Sequence, residues 1–169
     1  VLSLTAGGGD SSSDTVVGPS WGPLTSGVLE GPVAGLRFET GSESGTTDEN
    51  GTFSYRVGQR VRFYVGDILV GEARGAESLT LFNLAGLDAP PVTATEVRTT
   101  INQMDALPFA TPFETAANIA ALLYTLDEDE DTSNGIVVPA AIHTFATGPA
   151  INFGQSWTSF ASQFPLRKL

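Results

Sequence analysis

The stretch that decides the fold runs from Asp48 to Asp67 and reads DENGTFSYRVGQRVRFYVGD. Its Asn-Gly pair is the strongest short signal for a β-hairpin, because both residues tolerate positive φ. Phe53 and Tyr55 then alternate with polar residues, and a second alternating run follows a turn at residues 57–59. A period of two is typical of strands with one buried face. The stretch therefore predicts short antiparallel strands.

Further strand signals lie on both sides of this stretch. Upstream, an apolar run at residues 33–38 ends at Gly41, and downstream a Gly-Asp turn at 66–67 leads into residues 68–71. Short strands separated by glycine turns, from residue 28 to about 82, predict a small antiparallel β-sandwich.

After a break at residues 89–91 the periodicity becomes helical. Thr93 or Thr95 caps a first predicted helix, and Pro108 ends it. One face of this helix carries three apolar residues, Val97, Ile101 and Met104.

A second predicted helix begins at Thr111. Pro112 follows the cap, and Glu114 stands three residues after it, which is the pattern of a capping box. Asn118 lies in the middle of this helix, and we expect its amide to hold a neighbouring loop. The apolar face carries Ile119, Leu122, Leu123 and Leu126.

The C-terminal region carries an aromatic stripe at helical spacing, formed by Phe153, Trp157, Phe160 and Phe164. The whole chain is therefore expected to be α+β. It comprises a flexible segment over residues 1–22, a small antiparallel β-sandwich over 23–88 and a C-terminal helical region over 89–169. Three or four helices are expected to pack against the sandwich.

The charge balance narrows the classes of partner. Of 169 residues, 8 are Lys or Arg and 19 are Asp or Glu, so the formal net charge is −11. Such a surface repels phosphates, which makes nucleic acid and anionic lipids poor partners, whereas divalent cations and basic proteins remain eligible. The absence of cysteine excludes disulfides, thiol catalysis and cysteine-based zinc sites. No apolar run approaches the length needed to cross a bilayer.

The first residues look like the tail of a signal peptide. Leu4-Thr5-Ala6-Gly7 resembles a bacterial lipobox, with Gly7 at the position of the cysteine that receives the lipid. A Gly/Ser/Asp-rich tether follows, which suits a folded body that stands off a membrane. We therefore expect Gly7 to mark a lipid-anchor position and the protein to lie in the bacterial cell envelope. The alternative is an ordinary flexible N-terminus.

An acidic run at residues 127–131 is the most site-like feature. Asp127, Asp129 and Asp131 match the first three ligand positions of a calcium loop, and Asn134 adds a further oxygen. The loop departs from an EF-hand at later positions, so we predict a looser calcium site. The alternative is a solvated loop after a helix, although carboxylates at a helix C-terminus are unfavourable by roughly 0.3–1 kcal/mol each.

Catalytic motifs are missing from the sequence, and we expect no enzyme. His143 is the only histidine, and no G-x-S-x-G, P-loop or H-E-x-x-H pattern occurs. The apolar surface of the helical half is the better place for binding, although a plain core explains most of these side chains equally well. The candidate ligand-binding residues are Tyr124, Phe145, Phe153, Trp157, Phe160 and Phe164.

Several runs carry a resemblance to a known family: GPVAGLRFET from Gly31, SGTTDENGTFSY from Ser44, VRFYVGD from Val61, NIAALL from Asn118 and LDED from Leu126. They resemble bacterial envelope lipoproteins whose β-module is similar to transthyretin and to carboxypeptidase regulatory domains. Members occur in marine and hydrocarbon-degrading Gammaproteobacteria, and some carry labels that refer to organic-solvent transport. The resemblance implies uptake or export of apolar compounds such as alkanes, with a membrane transporter or outer-membrane channel as partner.

The sequence thus predicts a non-enzymatic envelope lipoprotein that assists transport of hydrophobic compounds by binding an apolar small molecule or a membrane transporter. The alternative is a cell-surface adhesion or structural module that calcium stabilises. Similar stretches also precede surface-exposed lipases, so an accessory domain of a lipase is a third hypothesis.

Overall fold

The alternating segments of the sequence form β-strands in the computed structural model, which describes residues 20–104, 106–107, 109–148 and 150–163. The described strands are β1 (Leu24–Leu29), β2 (Val33–Ala34), β3 (Arg37–Glu39), β4 (Ser44–Thr46), β5 (Thr52–Arg56), β6 (Arg60–Val65), β7 (Ile68–Arg74), β8 (Ser78–Leu79) and β9 (Ile136–Val137). The described helices are α1 (Leu81–Leu84), α2 (Ala94–Gln103), α3 (Pro112–Leu126), α4 (Ala140–Phe145) and α5 (Trp157–Gln163).

Two sheets make up the β half. One has the strand order β5-β1-β8, the other has the order β4-β3-β6-β7, and β2 pairs with β9. The ring of Phe53 on the first sheet meets the rings of Phe63 and Phe38 on the second, at centroid distances of 5.2 and 6.3 Å. The same apolar core includes Ile119 and Leu123 of α3. The α+β prediction is confirmed.

The predicted Asn-Gly hairpin is wrong. Gly51 has a φ of +73° and donates its N–H to the carbonyl of Asp48, so the tight turn itself forms. However, the turn carries the chain from β4 in one sheet to β5 in the other, and β5 pairs with β1. Turn residues specify only a local bend, and here Leu29 donates to the carbonyl of Gly51 and draws the next strand to β1.

The Gly-Asp turn does form a hairpin, since β6 and β7 pair antiparallel from Val65 and Ile68 outward, with one register shift between Phe63 and Tyr64. Gly66 has a φ of +56°, as the first position of a tight two-residue turn of this kind requires. Helix α1 lies so close to β7 that a Cβ on Gly71 would stand 2.7 Å from the Cβ of Leu84.

Long-range pairing produces features that the sequence pattern does not predict. Strand β9 lies within the predicted helical region and pairs in parallel with β2, with Val33 opposite Ile136. Strands β1 and β8 are also parallel, and α1 occupies the end of the predicted β segment. Phe153 lies in an irregular segment before α5, so the aromatic stripe does not run along one helix.

Helix α3 connects the two halves of the molecule. Thr111 caps it as predicted, because the Thr111 hydroxyl accepts the N–H of Glu114 at 3.2 Å and the Glu114 carboxylate accepts the N–H of Thr111 at 2.7 Å. The buried amide of Asn118 donates to the carbonyls of Phe153 and Gln155 at 2.9 and 2.8 Å. This confirms that Asn118 holds a neighbouring loop, and that loop positions α5 against α3.

Candidate functional site

The segment at residues 87–104, here called the α2 arm, presents apolar side chains to solvent. Helix α2 begins with a capping box, in which the Glu96 carboxylate accepts the N–H groups of Thr93 and Val92 at 2.9 and 3.0 Å. These bonds, that of Thr93 foremost, hold the pKa of Glu96 below its usual range. Helix α2 buries none of its residues. Local capping therefore forms this helix, without support from the core.

The apolar face predicted for α2 is present but uncovered. Val97 and Ile101 lie one turn apart on the same face, and they are 36% and 50% exposed. Val92, just before the helix, is 82% exposed, and Leu107 and Phe109 beyond it are also exposed. In contrast to the expected packing of this helix on the sandwich, these side chains form a surface that other molecules can reach.

An open groove of about 500 Å³ lies between α2 and the segment before it. Two prolines stiffen one wall and threonines form much of the other, so the groove has no charged group except Glu96. Its lining residues are Leu87, Ala89, Pro90, Pro91, Val92, Thr95, Glu96, Thr99 and Thr100. From the sequence, Pro90-Pro91 is predicted only as a break. The threonine-rich second face of α2 was the available signal that this helix is not a core helix.

The predicted ligand-binding aromatics separate into two groups. Phe153 and Phe160 are buried in the core, with ring centroids 5.8 Å apart, and Trp157 is half-buried against that core. Tyr124 and Phe145 are exposed instead, Phe145 to 80%. The first group therefore packs α5 onto α3, and only the second group is accessible. Phe164 lies outside the described residues, as do Gly7 and the predicted tether apart from residues 20–22.

The acidic loop satisfies most of its carboxylates internally. Asp129 accepts the N–H of Asp131 at 2.9 Å and the side-chain amide of Asn134 at 2.7 Å, and these bonds, that of Asn134 foremost, lower its pKa. Asp131 accepts the N–H and hydroxyl of Ser133 at 3.0 and 2.6 Å. Glu130 has a φ of +59°, a conformation that is uncommon for residues other than glycine.

Asp127 differs from the rest of the loop because it is buried, with 7% of its surface exposed. One oxygen accepts the N–H of Val137 at 2.8 Å, which ties the end of α3 to β9, while Oδ2 is buried without a hydrogen-bond partner. Oδ2 is thus the one buried oxygen of the described loop that lacks a hydrogen-bond partner. Among the described residues, however, no three acidic or histidine side chains converge as a metal site does.

His143 connects α4 to two turns of the sandwich. Its Nδ1 accepts the N–H of Gly66 at 2.9 Å, and its Nε2 lies 2.7 Å from the carbonyl of Gly35. A carbonyl only accepts hydrogen bonds, so Nε2 carries the proton in the neutral ring. Both ring nitrogens therefore interact with backbone groups, and this geometry gives His143 a structural role.

Comparison with protein-family models, with curated proteins and with solved structures finds no match to this chain. Among the described residues, none of the helices has both the length and the apolar composition that crossing a bilayer requires.

Proposed function

We propose that this protein is a non-enzymatic component of the bacterial cell envelope that assists transport of hydrophobic compounds. In this proposal the α2 arm binds an apolar small molecule or contacts the membrane transporter that moves it. The observation that carries the proposal is an amphipathic helix whose apolar face the described residues leave uncovered, with a groove of little charge along its threonine-rich face.

The charge distribution supports this proposal. The chain carries a net charge of −11, yet the only charged residues of the arm after Asp88 are Glu96 and Arg98. A segment with little charge on a strongly acidic molecule favours apolar partners, because a charged partner would have to be desolvated on binding. Complete burial of a Val or Ile side chain contributes about 1.5–3 kcal/mol. Covering the exposed halves of Val97 and Ile101 therefore contributes about 1–3 kcal/mol.

A titration with the fluorescent apolar probe Nile red tests the proposal. The double variant Val97→Gln/Ile101→Gln keeps helix-forming residues but loses the apolar face, and we expect its affinity for the probe to fall about tenfold. Asn102→Gln, on the same helix, is the matched control and should bind as the wild type does. Equal affinity of the double variant and the wild type would contradict the proposal.

A second candidate is a cell-surface adhesion module that calcium stabilises. It is favoured by the buried, unpartnered Oδ2 of Asp127, which an ion would satisfy. A cation that binds only the folded state raises the melting temperature. We therefore expect calcium to raise the melting temperature of the wild type and to have a smaller effect on Asp127→Asn. If millimolar calcium did not change the melting temperature of the wild type, this second candidate would be excluded and only the transport proposal would remain.

A further inference from the structure

The outer face of the second sheet collects basic residues on an otherwise acidic molecule. Among the 8 Lys and Arg of the chain, four arginines share this face: Arg37 on β3, Arg60 and Arg62 on β6, and Arg74 on β7. Their residues alternate with the buried ones on each strand, so the guanidinium groups stand on the solvent side.

The carboxylates on this face do not neutralise all four arginines. Glu39 pairs with Arg37, and Glu72 pairs with both Arg60 and Arg62. Partial burial raises the pKa of Glu72, but hydrogen bonds from the two arginines outweigh it and hold the pKa below its usual range. Glu72 therefore supplies one negative charge to two cations. The guanidinium of Arg74 has no hydrogen bond or ion pair with any part of the described chain.

The register makes this excess charge unusual. Arg60 and Arg74 stand directly opposite each other across β6 and β7. Like charges at such positions are about 5 Å apart at Cβ and destabilise the pair of strands. The pair is not apparent from the sequence, because uninterrupted pairing outward from the turn would place Arg60 opposite Ala73. The register shift between Phe63 and Tyr64 brings Arg74 opposite Arg60 instead.

A pocket of about 430 Å³ opens beside the two arginines, between the end of β7 and α1. Its far rim is rigid, because the Asn83 amide donates to the carbonyls of Leu87 and Asp88 at 3.0 and 3.1 Å. Ala73, Ala76 and Leu79 contribute apolar atoms to its lining. The pocket thus offers cationic donors together with a small apolar part, in which Ala73 and Leu79 are buried and Ala76 is half-buried.

We propose that this pocket binds a monocarboxylate with an aliphatic chain, whose carboxylate is held by Arg74 and Arg60. Guanidinium groups recognise carboxylates through two parallel hydrogen bonds. A dianionic phosphate fits less well, because Glu72 and Asp88 also line the pocket and the whole molecule repels multivalent anions. The site does not involve the α2 arm, so this proposal does not rest on the proposed function.

Calorimetric titration with octanoate tests the proposal, with octanol and octyl phosphate as comparison ligands. We expect octanoate to bind more tightly than either. Arg74→Gln should weaken octanoate binding at least about tenfold, and Arg74→Lys, which keeps the charge but loses the planar fork, should fall in between. Arg98→Gln, an exposed arginine on α2, is the matched control and should bind as the wild type does.

Equal affinity for octanol and octanoate, tighter binding of octyl phosphate, or an unchanged affinity of Arg74→Gln would each overturn the proposal. Far-UV circular dichroism and melting temperature confirm that each variant is folded before its affinity is compared. The double variant Val97→Gln/Ile101→Gln should retain octanoate binding, so failure here and failure of the proposed function are distinguishable.

Discussion

The side chain of Asn118 fixes the position of the C-terminal segment. Its amide donates to two carbonyls on the loop before α5, and only an NH₂ group can do this from one atom. In Asn118→Asp the carboxylate would face those carbonyls without a proton to donate. An unpaired buried charge of this kind costs about 3–5 kcal/mol.

We therefore expect Asn118→Asp to lower the free energy of unfolding by about 3 kcal/mol or more, measured by urea denaturation. Asn102→Asp makes the same chemical change on exposed α2, and it should cost less than about 1 kcal/mol. Equal effects of the two substitutions would show that the amide of Asn118 does not hold the loop.

His143 offers a second prediction for a single side chain. Replacing it with Ala leaves the N–H of Gly66 and the carbonyl of Gly35 without their present partner. Each unsatisfied group costs about 1–3 kcal/mol where it is buried and less where water replaces the ring. We expect His143→Ala to lower the free energy of unfolding by about 2 kcal/mol, whereas exposed Thr144→Ala, the neighbouring control, should change it little. If His143→Ala had the same free energy of unfolding as the wild type, His143 would not have this structural role.

At the scale of elements, the capping boxes of α2 and α3 form a natural comparison. Thr93 begins α2 and Thr111 begins α3, and both have the same reciprocal bonds with a glutamate three residues on. The helices differ in what they bury, since α3 contributes to the core and α2 buries none of its residues. Losing a threonine cap costs about 1 kcal/mol.

We expect Thr111→Ala to lower the global free energy of unfolding by about that amount. Thr93→Ala should leave global stability almost unchanged, because α2 can open without exposing core residues. Hydrogen exchange should instead show faster exchange of the α2 amides in that variant. A similar loss of global stability in both variants would mean that α2 is coupled to the core.

The elements also show what the sequence could predict. Alternation predicted β5 and β6, and the cap at Thr111 predicted the start of α3, because these signals are local. The pairing of β2 with β9 was not predictable, since a two-residue strand has no periodicity of its own and depends on a distant partner. Arg60 and Arg74 were not predicted to oppose each other, because the register shift within their hairpin has no signal in the sequence pattern. The sequence pattern of α2 predicted its apolar face. It could not predict whether other residues of the protein cover that face.

At the scale of the whole molecule, pH acts on stability in two opposite ways. Asp48 accepts the N–H groups of Thr52 and Asn50, and these bonds, that of Thr52 foremost, hold its pKa below the usual range. The pKa values of Asp129 and Glu96 are lowered in the same direction. A carboxyl group with a lower pKa in the folded state stabilises the fold above its unfolded pKa, and this contribution is lost as the pH falls through the folded pKa.

Protonation also removes the mutual repulsion that a net charge of −11 creates, and this favours the folded state. Salt separates the two effects, because it screens long-range repulsion and leaves short hydrogen bonds largely intact. In 0.5 M NaCl the salt already screens the repulsion among the carboxylates. Protonation then acts on stability only through the loss of the hydrogen bonds. We therefore expect the melting temperature to fall between about pH 5 and pH 3, the range in which carboxyl groups titrate, and to fall more steeply in high salt than in low salt.

Asp48→Asn provides the control for this experiment, because an amide oxygen still accepts the two N–H groups but does not titrate in this range. The decline of its melting temperature in acid should be smaller than that of the wild type at the same salt concentration. At pH 7, salt should raise the melting temperature of both proteins by about 2–4 °C for each kcal/mol of screened repulsion. If salt lowered the melting temperature instead, the surface ion pairs of the arginine-rich sheet would contribute more to stability than the repulsion among the carboxylates removes.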